Sequence, residues 1–184
     1  MTLGDHPQSA LECSEAAALT RRGRRLAWFI VGWDVIEAAV AITAGLAAGS
    51  IALIGFGIDS SIEVFAASVV IWQLRGTSST RTGTALKLIA ASFLILAAYV
   101  SIESVRDLVG SDRAEESIVG ILLNLVALGV MVPVAFAQRR IGMQLGNPVL
   151  IAQSNQTWIS NALSLSLLIG LNHPGSNTDL LLCI

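Results

Sequence analysis

The chain has 184 residues, 54% of them hydrophobic and only 13% charged, with a formal net charge of −2. Soluble domains average about 25% charged residues, so composition argues against a water-soluble globule, and the slightly acidic balance argues against a nucleic-acid partner. Cys13 and Cys183 stand near opposite ends with no metal-ligand spacing and no disulfide framework, and His6 and His173 fall outside the apolar runs.

The first 24 residues are polar, with an expected poorly ordered stretch up to Thr20 and no apolar segment of the signal-peptide kind ahead of Arg21. A helix needs about 20 residues to cross roughly 30 Å of hydrocarbon. Five runs meet that length: Leu26 to Ala48, Ile51 to Leu74, Leu86 to Val109, Ile118 to Ala137 and Val149 to Leu171. The expected architecture is therefore an all-α, polytopic transmembrane helix bundle with five spans. Gly49-Ser50 predicts a tight turn between spans one and two, and Gly76 to Gly83 a flexible loop between spans two and three. Pro133 in span four predicts a kink. Asn147-Pro148 predicts an N-cap followed by proline at the first helical position of span five. Residues 172–184 form a tail too short to span.

Glycine and alanine fill the spans, as close helix packing in lipid requires. Gly45 to Gly49 fits the GxxxG pattern of a close helix contact or a dimer face, and Trp28, Trp72 and Tyr99 read as interface or packing aromatics. Arg21, Arg22, Arg24, Arg25, Arg75, Arg81, Lys87, Arg139 and Arg140 fall on one side of the five spans, and only Arg106 and Arg113 on the other, among Asp107, Asp112, Glu115 and Glu116. The basic excess predicts a cytoplasmic N-terminus in a multi-pass protein of the plasma membrane.

The polar groups at depth carry the functional signal. Asp59 and Glu63 are four residues apart and share one helix face. At 1.5 Å per residue they lie roughly 12 and 18 Å from the start of span two. Each costs several kcal/mol at bilayer depth, roughly 2.5–3.5 on insertion scales. Asp34 and Glu37 in span one, three apart, lie roughly 14 and 18 Å from Arg25. Gln153 and Thr157 in span five are again four apart. If spans one, two and five meet, the midplane layer holds four carboxylates, an amide and a hydroxyl. These hard oxygen donors suit Mg²⁺, Mn²⁺ and Fe²⁺; the imidazoles and thiolates that a tight zinc site uses are missing from the layer.

Each group also has a structural reading. Asp59 and Glu63 can be protonated and hydrogen-bonded between helices. One of Asp34 and Glu37 can serve only to orient a neighbour. Gln153, Thr157 and Asn124 can simply join helices, and Glu103 sits near a span end, within reach of water or Arg106.

Gly49-Ser50-Ile51-Ala52-Leu53, followed by Asp59-Ser60-Ser61-Ile62-Glu63, resembles the second-helix signature of the cation diffusion facilitator family. The resemblance runs from about Arg24 to Leu171. It implies a carrier that exports divalent metals such as zinc, iron, manganese or cobalt, usually against protons and usually as a homodimer. Asp59 and Glu63 match the paired metal ligands of the family's second helix, with Glu63 in place of the more common aspartate. Ile151 to Thr157 aligns with the fifth-helix ligand segment, where this chain has Gln153 and Thr157 in place of histidine or aspartate. The family's sixth helix and cytoplasmic metal-sensing domain have no counterpart, so the resemblance implies a protein cut short after the fifth helix.

The expected mechanism is alternating access. A divalent ion binds the ionised pair and displaces protons; protons from the far side release it. No permanently bound cofactor and no covalent chemistry are required, so the chain is not expected to be an enzyme. Two alternatives stand beside the carrier: a truncated, non-transporting membrane remnant, and a proton-relay or structural subunit that uses the buried acids.

Overall fold

The computed structural model describes residues 7–76, 78–109 and 118–171. The expectations for His6, for the acidic loop with Asp112, Arg113, Glu115 and Glu116, and for the tail with His173 and Cys183 lie outside those residues. So do those that depend on the side chains of Glu103 and Asp107. The described residues form five helices and no strand: α1 (Pro7–Ala48), α2 (Ile51–Gln73), α3 (Ser79–Val109), α4 (Ile118–Gln144) and α5 (Pro148–Leu171).

Three boundaries differ from the sequence expectations. Helix α1 begins at Pro7, so most of the polar N-terminal stretch continues the first span as helix. Its Ala, Leu and Glu residues favour that conformation without being apolar enough to signal it. Helix α3 begins at Ser79, inside the expected loop, because the Ser78 hydroxyl accepts the Arg81 amide at 3.3 Å and so caps the first turn. Helix α4 runs seven residues past Ala137, to Gln144, and Pro133 lies within it without ending it.

Two turns close as the sequence suggests. Gly49 and Gly146 take left-handed backbone angles, with φ of 66° and 58°. The residue after each donates its amide across the helix end: Ser50 to the Gly45 carbonyl and Asn147 to the Gly142 carbonyl, both at 2.9 Å. Ser50 and Asn147 then cap the following helices. The Asn147 side-chain oxygen accepts from the Val149 and Leu150 amides at 3.0 and 3.3 Å. Gly45 is consumed within the chain: a Cβ there would meet Ile54 Cγ1 at 2.8 Å. Gly45 of the GxxxG pattern thus serves the α1–α2 contact, and Gly49 the turn.

Helix α2 is central. It packs against α1, α3 and α5, while α4 bridges α1 and α5. At the end that carries Arg25, Arg75 and Arg139, Ala27, Val70, Ile89, Val149 and Leu150 form an apolar core, extended by Ile30, Ala67, Met131 and Val134. Outward faces carry large apolar side chains such as Trp28, Ile36, Leu94, Leu122 and Phe136. Helices α1 to α4 each contain a stretch long and apolar enough to cross a membrane. Helix α5 has the length, 24 residues; six of its polar residues, Gln153, Ser154, Gln156, Thr157, Ser160 and Asn161, are buried, while Ile159 and Leu165 face outward, as do Asn155 and Ser166. Away from that apolar core the bundle is apolar outside and polar inside, as suits a lipid-embedded helix bundle and not a water-soluble one.

Candidate functional site

The polar interior is built from α1, α2 and α5. Asp34 and Glu37, one turn apart on α1, are 0% and 7% exposed, and Glu63 on α2 is 7% exposed. Asp59 is half-buried. The helical spacing that groups each pair in the sequence does bring them to facing surfaces. Asp34 lies within electrostatic reach of Glu63, Glu37 and Asp59, and Glu63 within reach of Asp59 and Glu37. None of the buried polar side chains among the described residues is basic.

These carboxylates are poorly satisfied. Ser60 donates its hydroxyl to Glu37 Oε2 at 2.9 Å. Both oxygens of Asp34, and one each of Glu37, Asp59 and Glu63, are buried without a hydrogen-bond partner. An ionised carboxylate in such a place is costly unless it is paired, so each group must carry a proton or meet a cation. Among the described residues no three or more Asp, Glu, His or Cys side chains stand close enough together to hold a metal ion. The acids face one another across helices without converging on one point.

The fifth-helix residues make their hydrogen bonds away from the acids. Gln153 is buried, but its carbonyl accepts the Gln138 amide of α4 at 2.7 Å. The Thr157 hydroxyl donates to the Gln153 backbone carbonyl at 3.3 Å. Neither hydrogen bond runs to the acids of α1 or α2. The α5 side chain that stands beside both Asp59 and Glu63 is Ser160, and its hydroxyl is buried without a partner of good geometry. Sequence reasoning missed Ser160. Its signal was the spacing alone: three residues beyond Thr157 and seven beyond Gln153, it continues the same helix face. Trp33, beside Glu37, and Asn161 were also missed; each keeps an unpartnered buried nitrogen.

Asn124 does join helices, donating to the Ser164 carbonyl at 3.3 Å. Trp72 lies near the basic end with the Arg81 guanidinium 4.7 Å from its ring centre, a cation–π contact.

No protein-family model, curated protein or solved structure matches the chain. The fold and the buried acids alone define what it is: a polytopic helical membrane bundle with an acidic interior.

Proposed function

We propose that this bundle carries a divalent metal cation across the membrane in exchange for protons, with Asp59 and Glu63 as the principal ligands and Asp34 and Glu37 completing the charge. The observation that supports this is the set of four carboxylates on the facing surfaces of α1 and α2, with unpartnered oxygens and, among the described residues, no buried basic side chain to neutralise them. A metal ion would draw them together, the Ser160 hydroxyl supplying a neutral oxygen from α5. Binding would displace the protons the acids otherwise carry, and reprotonation from the other side would release the metal and let the emptied carrier return without a buried charge. Oxygen-only ligands favour Mn²⁺ or Fe²⁺ at least as much as Zn²⁺ or Co²⁺.

The protein acts in this reading as a carrier, not an enzyme, with the basic helix ends in the cytoplasm of a plasma-membrane protein and a homodimer as its assembly. The test is Asp59→Asn in proteoliposomes: metal-stimulated proton movement should vanish while helix content stays unchanged. Transport at the native rate would remove Asp59 from the site.

A second reading, a proton relay or structural subunit without metal, is favoured by one observation: no three acids stand together as a ready metal site among the described residues. Proton flux that is insensitive to metal, and lost in the same variant, would establish it.

A further inference from the structure

On the outer face of the bundle, α4 and α5 meet along a seam that carries two layers of side chains. Nearer the basic end, the Arg139 guanidinium of α4 donates from Nη1 to the Asn155 side-chain oxygen of α5 at 3.0 Å, and both residues are exposed. Three residues further from that end on each helix, Phe136 and Trp158 meet edge to face, with ring centres 4.8 Å apart. Phe136 is exposed and Trp158 half-buried. A spacing of three keeps each layer on one helix face, about 4.5 Å below the other. Asn155 breaks the pattern of its own helix: from Gln153 to Asn161 every other polar residue of α5 is buried. It lies roughly 10 Å inside the start of α5, and Arg139 roughly 8 Å inside the end of α4.

The Arg139 charge is permanent, and the partner it meets among the described residues is a neutral amide. That bond occupies one of five guanidinium N–H donors and fixes the plane of the rest, while the Asn155 amide adds its own N–H donors beside them. Such a fork matches a phosphate, which arginine binds through two parallel hydrogen bonds. An acyl chain alone would cover the rings and leave the charge unmet. A zwitterionic headgroup would bring a second cation beside the guanidinium. The occupant that meets both layers has a phosphodiester with net negative charge at one end and an acyl chain at the other. We infer that this seam binds an anionic phospholipid, its phosphate held by Arg139 and the Asn155 amide and its chain lying on Phe136 and Trp158. Basic sites between membrane helices take such headgroups through the same charge complementarity. The inference stands apart from metal transport, since the seam faces outward and uses none of the four acids.

The experiment titrates the full chain in detergent micelles with palmitoyl-oleoyl phosphatidylglycerol, or with phosphatidylcholine of the same chains, and counts bound lipid by native mass spectrometry. Tighter binding of phosphatidylglycerol is expected. Arg139→Gln should weaken it about tenfold, the weight of a charge-assisted bidentate contact. Asn155→Leu, which keeps the charge and removes the amide, should weaken it about threefold, the weight of one hydrogen bond. Arg22→Gln, which removes an exposed charge from the same end of the bundle, should change it less than about twofold. Each variant is first checked for native helix content by circular dichroism. Millimolar glycerol 3-phosphate, which has the phosphate and no chain, should leave the lipid bound. Equal affinity for the two lipids overturns the inference, and so does native binding in folded Arg139→Gln. An equal loss in Arg22→Gln also overturns it, by reducing the effect to net charge. Displacement by glycerol 3-phosphate overturns it in favour of a free phosphate ester. A dimer that binds no phosphatidylglycerol and is lost in Arg139→Gln overturns it in favour of a second copy of the chain on the seam.

Discussion

The two halves of the bundle use the same helices in opposite ways. Toward the basic end, Val70, Ile89, Val149 and Leu150 are fully buried against one another, and the polar groups there are mostly paired, Gln138 Oε1 being an exception. Gln73 accepts from Asn147 at 3.1 Å and donates to Thr82 at 3.3 Å, while Asn147 caps α5. Toward the middle, Asp34, Glu37, Asp59, Glu63 and Ser160 are buried with atoms left unsatisfied. Buried polar groups are almost always paired in stable folds, so one half is organised for stability and the other carries a cost that function has to justify. The contrast separates the helices as well: α5 begins in the apolar core at Val149 and Leu150 and ends its polar face at Ser160 and Asn161.

This comparison can be broken at either end. Leu150→Ala, in the apolar half, should destabilise the bundle by about 3 kcal/mol through lost packing and a cavity, read as a lower midpoint in denaturant titration in detergent, with metal affinity unchanged. A matching loss of affinity would mean that the halves are not separable.

Asp34→Asn should do the reverse. It exchanges one buried polar group without a partner for another and should change stability by less than about 1 kcal/mol while weakening metal binding. A lower melting temperature would show that Asp34 is structural.

Ser160→Asp places a third carboxylate beside Asp59 and Glu63. Metal affinity at neutral pH should rise about tenfold, or about 1.4 kcal/mol, and fall more steeply on acidification, because the added acid must lose its proton to coordinate. Gln153→Asp, whose position is engaged by Gln138, should change affinity less than twofold. Calorimetry at two pH values distinguishes them; equal effects would mean that the face of α5 turned to the acids has been misassigned.

Asn147→Ala should cost about 1 kcal/mol by removing the cap of α5, visible as faster amide exchange in the first turn of that helix and no change in metal response.

Much of this was legible in the chain. Run length located the apolar helices, and the spacings of Asp34 with Glu37 and of Asp59 with Glu63 placed each pair on one face. Asn147-Pro148 and Gly49-Ser50 marked their turns because each carries specific capping chemistry. Periodicity gives the face of α5 but not its depth against α2, so the nearness of Ser160 to Asp59 and Glu63 was not legible beside Gln153 and Thr157. Ending span four at Ala137 hid Gln138, the residue that engages Gln153. The polar opening of α1 was hidden for a different reason: helix propensity persists where hydropathy stops.

The central claim is that the unsatisfied acids form a site at which a metal replaces protons. The direct measurement is proton release on adding Mn²⁺ to the purified full chain in weakly buffered detergent solution. Saturable release, absent in Asp59→Asn and in Glu63→Gln, is the expected result. Release no greater from the native chain than from those variants would contradict the account.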